Sequence, residues 1–184
     1  MKKTVLTFGL IAGSIISIMM AATVPFMEDI GYDRGAFIGY TSMVVAFLLI
    51  YFGIRSYRDN VAGGSVRFGR AFVIGALITA VASACYVATW QVVYYRYVPD
   101  FPERYTEHVL EQERADGATE AALAEKRAEM EQFAEWYRNP LVNIALTFLE
   151  PLPVGLVISL VSAGILSRAR RENGVVQSSP AVAR

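Results

Sequence analysis

The sequence contains one cysteine, Cys85, and one histidine, His108. A single cysteine excludes an internal disulfide, and the pair together cannot supply the thiolate or imidazole cluster that holds zinc. Cys85 lies in an apolar run and His108 in a charged one, which argues against a cysteine–histidine nucleophile pair. Net charge is absent as well: 17 Lys plus Arg balance 17 Asp plus Glu, so no overall basic field draws in nucleic acid. No glycine-rich loop runs into a lysine followed by Ser or Thr, which removes the phosphate cradle of a nucleotide site. No catalytic constellation, metal set or cofactor motif emerges, and the expected function is non-enzymatic. Charged residues are scarce, at 18% against 54% apolar, both figures away from those of an ordinary soluble domain.

The charges that are present sit in blocks, separated by long uncharged runs. A helix needs about 20 apolar residues to cross a hydrocarbon core of about 30 Å. Residues 4–26, 36–54 and 71–95 meet this with no charge, and residues 141–167 meet it with one, Glu150. The expected fold is all-α: one membrane domain of four helices over residues 1–173, with a disordered tail at 174–184 rich in Ser, Ala and Val. Basic residues mark cytoplasmic flanks. Lys2 and Lys3 precede the first span, Arg55, Arg58, Arg67 and Arg70 fill the loop after the second, and Arg168, Arg170 and Arg171 follow the fourth. Both termini are thus expected in the cytoplasm, with the acidic loop around Glu28, Asp29 and Asp33 and the segment 96–140 outside. The first span has a signal-peptide look, with Ala21 and Ala22 before Thr23. Its apolar run exceeds the usual signal core of about 7–15 residues, so it reads as a retained span.

The outer segment carries two further helical stretches, 103–115 and 119–137. Pro99 and Pro102 end the preceding helix, Asp116-Gly117 forms the break and Thr119 serves as N-cap. The expected hairpin, about 103–137, has a modest apolar face at Leu123, Met130, Phe133 and Tyr137, suited to docking a membrane-protein partner. Aromatics at its ends, among them Trp90, Tyr94, Tyr97, Phe101, Trp136 and Tyr137, fit an interfacial belt. Within the spans, small residues recur at spacings of four: Gly9, Gly13 and Ser17; Gly31, Gly35 and Gly39; Ala71, Gly75, Thr79 and Ser83 beside Ala76, Ala80, Ala84 and Ala88; Gly155, Ser159 and Ala163. In lipid such stripes let backbones approach closely. A tight monomeric bundle accounts for them, and the two stripes on the third span place it centrally.

Three constellations can carry function. An ionisable group within a span costs about 2.5–3.5 kcal/mol on insertion scales and is usually kept facing a bundle interior or a water cavity, so Glu150 is the sharpest. Asn143 and Thr147 share its helix face at i−7 and i−3, and Pro151 and Pro153 follow it, removing helix donors beside the carboxylate. Interrupted helices with polar side chains hold protons, ions or substrates in many transporters; a hydrogen-bonded structural carboxyl is the alternative. Counting about 14 Å from Leu141, depth matching offers Ser17, Thr41, Ser42 and Tyr86 as neighbours, none of them cationic. The inner loop is second: Arg55, Arg58, Arg67 and Arg70 surround Asp59, Asn60, Gly63 and Gly64. Such a basic glycine turn suits anionic lipid headgroups at about 1 kcal/mol per residue, although topology alone also calls for the arginines. The outer hairpin is third.

The stretch Gly53-Ile54-Arg55-Ser56-Tyr57-Arg58-Asp59-Asn60, with Gly63-Gly64, Phe68-Gly69-Arg70-Ala71-Phe72 and Gly75, resembles the bacterial membrane-protein family called domain of unknown function 4199. The resemblance continues through Pro99-Asp100-Phe101 and Tyr105 to Phe148-Leu149-Glu150-Pro151-Leu152-Pro153-Val154-Gly155-Leu156 and Ser159-Leu160-Val161-Ser162-Ala163. It covers nearly the whole chain and implies four helices in a bacterial membrane; it brings no assigned activity. The leading expectation is a scaffold or accessory subunit of the cytoplasmic membrane, bound to a membrane-protein partner or to itself. A small proton- or cation-coupled transporter, oligomeric and centred on Glu150, is the alternative, and a lipid-modifying enzyme using His108 ranks third.

Overall fold

The computed structural model describes residues 1–168, and the expected disordered tail lies outside them. The described residues are helical throughout, with no strand. Helix α1 spans Lys2–Thr23, α2 Met27–Ile30, α3 Tyr32–Asn60, α4 Phe68–Arg96, α5 Phe101–Ala115, α6 Glu120–Arg138, α7 Pro140–Leu149 and α8 Pro151–Arg168. Four stretches are long and apolar enough to cross a membrane, Lys2–Phe26, Tyr32–Asn60, Phe68–Arg96 and Pro140–Arg168, as in a multi-pass membrane protein. Each outruns its apolar run, because the helical hydrogen-bond ladder continues into polar flanks until a breaker stops it. Pro25 tightens the end of α1 into a 3-10 turn over Val24–Phe26, and Gly31, at φ +83°, supplies the left-handed residue that separates α2 from α3.

The burial pattern suits lipid. Large apolar side chains such as Phe37, Leu141 and Ile18 point outward, at 74%, 77% and 66% exposure, while the interior is built from small residues and a few β-branched ones. Helix α4 packs against α1, α3, α7 and α8, which gives the third span its expected central place. The stripes on α1 and α8 and the Ala71–Ser83 stripe of α4 are used inside the chain, whereas a Cβ on Gly39 of α3 would meet nothing within 4 Å and Ala84 and Ala88 of α4 are exposed. A Cβ on Gly9 would come within 2.7 Å of Val81 Cβ, one on Gly13 within 2.7 Å of Cys85 Cβ, and one on Gly75 within 2.6 Å of Ser159 Oγ. Ile50, Ile54, Ile74, Ile78, Phe47 and Ala163 fill the core among α1, α3, α4 and α8.

A second apolar core departs from expectation. Trp90, Val93, Tyr94 and Tyr137 are buried together with Val24, and Phe101, Phe133 and Leu146 pack against them. Trp90, Tyr94, Phe101 and Tyr137 therefore do not form an interfacial belt. Helices α5 and α6, which pack on each other and whose C-terminal member packs on α7, fold over the end of the bundle and cover them. Tyr97 and Trp136, 72% and 61% exposed, keep positions compatible with the belt. The face of α6 at Leu123, Met130 and Tyr137 is buried, so the surface expected to dock a partner is taken up within the chain. Pro102 is also not only a stop: it sits in the first turn of α5, where its missing N–H has no helical acceptor to lose. Thr119 caps α6 by accepting from the Ala122 amide at 3.3 Å, and Gly117, at φ +87°, makes the break.

Candidate functional site

The fourth span is interrupted where its carboxylate lies. α7 ends at Leu149 and α8 begins at Pro151, since Pro151 brings no amide to the ladder and crowds the carbonyl four residues back. Glu150 itself keeps helical dihedrals, φ −61° and ψ −54°. The junction is thus a gap in hydrogen bonding and not an unwound segment, which is less than a fully discontinuous transporter helix provides. Pro153 falls in the first turn of α8, where it is tolerated.

The polar face of α7 turns toward α4. Asn143 is fully buried and its Oδ1 accepts from Gln91 Nε2 at 2.7 Å. Thr147 is 2% exposed, and its hydroxyl lies beside the phenol of Tyr137, whose pKa burial pushes up to about 12, the Thr147 contact partly offsetting this. Tyr86 Oη donates to Glu150 Oε2 at 2.9 Å, the one depth-matched neighbour that bonds it. Ser42 is turned to its own helix, donating to the Gly39 carbonyl at 2.7 Å, and Thr41 is exposed.

Glu150 keeps exposed surface and lines a cavity of about 420 Å³. The cavity exists because α3 packs along α8 yet makes no more than slight contact with α7, so the halves of α3 and α7 on the α5–α6 side stand apart. Helices α5 and α6 roof the gap. From Asp33 to Met43 the cavity follows eleven residues of α3, about 15 Å of helix. At the Asp33 end, Gln112 Nε2 donates to Asp33 Oδ2 at 3.2 Å, His108 Nε2 lies 3.9 Å from Asp33 Oδ1, and the Tyr32 and His108 rings are 4.8 Å apart. These contacts tie the start of α3 to α5. Tyr86 and Glu150 line the other end.

Nothing in the residue pattern marks Gln91, Trp90, Phe101 or Tyr137 as parts of this site. Gln91 is the one available signal, an amide next to Trp90 in the mostly apolar second half of α4. His108 belongs to the cavity wall.

The basic loop is a separate surface. Arg58 Nε bonds Asp59 Oδ1 at 2.7 Å and Arg55 Nε lies 3.6 Å from Asp59 Oδ2, so two of the four arginines are partly neutralised. The glycine turn is not a ready phosphate cradle: the Gly64 amide donates to the Arg58 carbonyl at 2.9 Å, closing the end of α3 with Gly63 and Gly64 both at positive φ. Asn60 donates to Ser56 Oγ at 3.4 Å. Arg67, the N-cap of α4, and Arg70 are exposed.

Comparison with curated proteins finds no match, and comparison with solved structures finds none. A family model described as "Protein of unknown function (DUF4199)" matches residues 7–168, which takes in all four spans, the α5–α6 pair and the Glu150–Pro151 junction, and the protein belongs to that family.

Proposed function

We propose that the protein is a small, non-enzymatic carrier of the bacterial cytoplasmic membrane, acting as an oligomer, in which the Glu150 carboxyl takes up and releases a proton or cation at its end of the cavity. The observation that carries this reading is the position of Glu150: an acid in the middle of a span, set at a helix interruption, open to a cavity, and held by one neutral hydroxyl instead of a cation. A carboxyl kept only to pin the kink has no need of the cavity. The scaffold reading loses much of its docking face, since Leu123, Met130 and Tyr137 are buried within the chain. In this reading both termini and the arginine loop are cytoplasmic, the α5–α6 hairpin is outside, and Arg67 and Arg70 meet anionic headgroups as plain positive charge.

Infrared difference spectroscopy of the protein in lipid tests it. A protonated-carboxyl band should respond to pH in a scan from about pH 5 to 9 and vanish in Glu150→Gln, whose melting temperature should stay near wild type because Gln keeps size and a hydrogen-bonding oxygen. Glu150→Leu should instead destabilise by about 1–3 kcal/mol, since Tyr86 loses its acceptor. A wild-type band that does not titrate in this range overturns the carrier.

A further inference from the structure

The lining of the cavity has a chemical sign. Eight aromatic rings face it, from Tyr32, Tyr40, Tyr86, Trp90, Phe101, Tyr105, Phe133 and Tyr137, together with Met20, Met27 and Met43. Its two carboxylates, Asp33 and Glu150, stand at opposite ends, and no lysine or arginine lines it among the described residues. Asp33 finds only an amide and a histidine nearby, and Glu150 only a phenol, so neither acid has a fixed cation of its own. Trp90 is 7% exposed and lines the cavity, its indole close to the Tyr137 phenol. Aromatic faces attract cations through the ring quadrupole, most strongly when the site is desolvated. A carboxylate without a fixed cation, such as Glu150, favours a positive guest and rejects a negative one; Asp33, with an exposed side chain beside His108, adds only negative charge at the far end. A volume of about 420 Å³ lies within the range of small-molecule sites.

We propose that this cavity binds an organic cation, its ammonium-type head against Glu150 and Tyr86 and its apolar body along Trp90, Phe101 and Tyr105. The proposal rests on the reading that the Glu150 end of the cavity is a ligand site, and it goes further by naming the class. A metal ion does not fit the lining as well, because two separated acids and a wall of rings offer few oxygens at coordinating distance.

Fluorescence decides it. The chain has two tryptophans, and Trp136 is exposed on α6 outside the cavity, so Trp136→Phe leaves Trp90 as the sole reporter. Benzyltrimethylammonium should change Trp90 emission saturably, while benzenesulfonate of similar size should not. Glu150→Gln should weaken the cation by at least about tenfold. Gly39 provides a variant independent of the acid: it lies in the middle of the α3 stripe that lines the cavity, and a Cβ there meets nothing within 4 Å. Gly39→Leu should fill the space and abolish binding while the melting temperature is kept or raised. Equal response to the anion, or full cation affinity in both Glu150→Gln and Gly39→Leu, overturns the proposal. If the infrared carboxyl band titrates while the cation leaves Trp90 unaffected, the ligand class is wrong and the carrier stands; loss of both signals removes both.

Discussion

Adding one methyl group at two glycines of the same helix isolates the contribution of close helix approach. Gly155 and Gly164 both lie in α8, so each gains about 1 kcal/mol of helix propensity on substitution by alanine. Their surroundings differ. A Cβ at Gly155 would meet the side chain of Thr79, with Thr79 Cβ only 2.9 Å away, whereas a Cβ at Gly164 meets nothing within 4 Å. Thr79 cannot easily give way: it is fully buried and its hydroxyl donates to the Gly75 carbonyl at 3.0 Å. Gly75 in turn is seated against Ser159 of α8. Relief therefore requires α4 and α8 to move apart, and overpacking of this kind costs about 1–3 kcal/mol. Gly164→Ala should be neutral to stabilising and Gly155→Ala neutral to destabilising, with a gap of about 1–3 kcal/mol between them in which propensity cancels. For a chain of this size the gap is roughly 2–12 °C in melting temperature. Cys85, the sole cysteine and packed against Gly13 of α1, supplies the readout: a thiol-reactive dye in mild detergent follows the opening of the α1–α4 contact on heating. Equal melting temperatures for the two variants, or a lower one for Gly164→Ala, would refute the packing argument.

Two other expectations are separable from this one. The Arg138 guanidinium hydrogen-bonded to Glu103 holds that carboxyl below its usual value, so the pair stabilises above the unfolded value of about 4.3 and the contribution disappears as pH falls through the folded one. Wild type should melt slightly above Glu103→Gln near neutral pH, and the difference should close on acidification below about pH 4 and in about 1 M salt; a gap that widens on acidification contradicts the assignment. Topology is tested by single cysteines in a Cys85→Ser background: positions from Ser56 to Ser65 should be shielded from an impermeant thiol reagent in intact cells and positions from Thr106 to Glu135 should react, and the opposite pattern reverses the orientation.

The spans were legible because an uncharged run of more than about 20 residues has few alternatives. Tyr86 was found as the partner of Glu150 because helix rise is fixed and depth can be counted. The glycine stripes announced close packing without naming what they pack on; that Gly155 seats on Thr79 depends on the register between two helices, which no single-helix periodicity contains. The aromatics at the span ends were misplaced for a physical reason. Position along a span makes Trp90 and Tyr94 candidates for the interface, but Phe101 and Tyr137 arrive from α5 and α6 and cover them. The cavity was not legible at all, since it arises where α3 and α7 fail to meet, and a missing contact leaves no mark on either sequence.

The Pro151 interruption sets how the middle of the membrane is anchored. Ten residues of α7 reach only about 15 Å, half of a hydrocarbon core, so this helix cannot by itself hold a depth in the bilayer. It hangs from α6 through the single residue Asn139, whose side chain accepts from the Leu141 amide at 3.0 Å, and it leans on α4 through the Asn143–Gln91 bond. Glu150 sits where that short rod meets α8, bonded by Tyr86. Its position is therefore referenced to α6 as well as to α4, and a load applied to α6 is delivered, through a lever ten residues long, to the carboxyl at the α7–α8 junction.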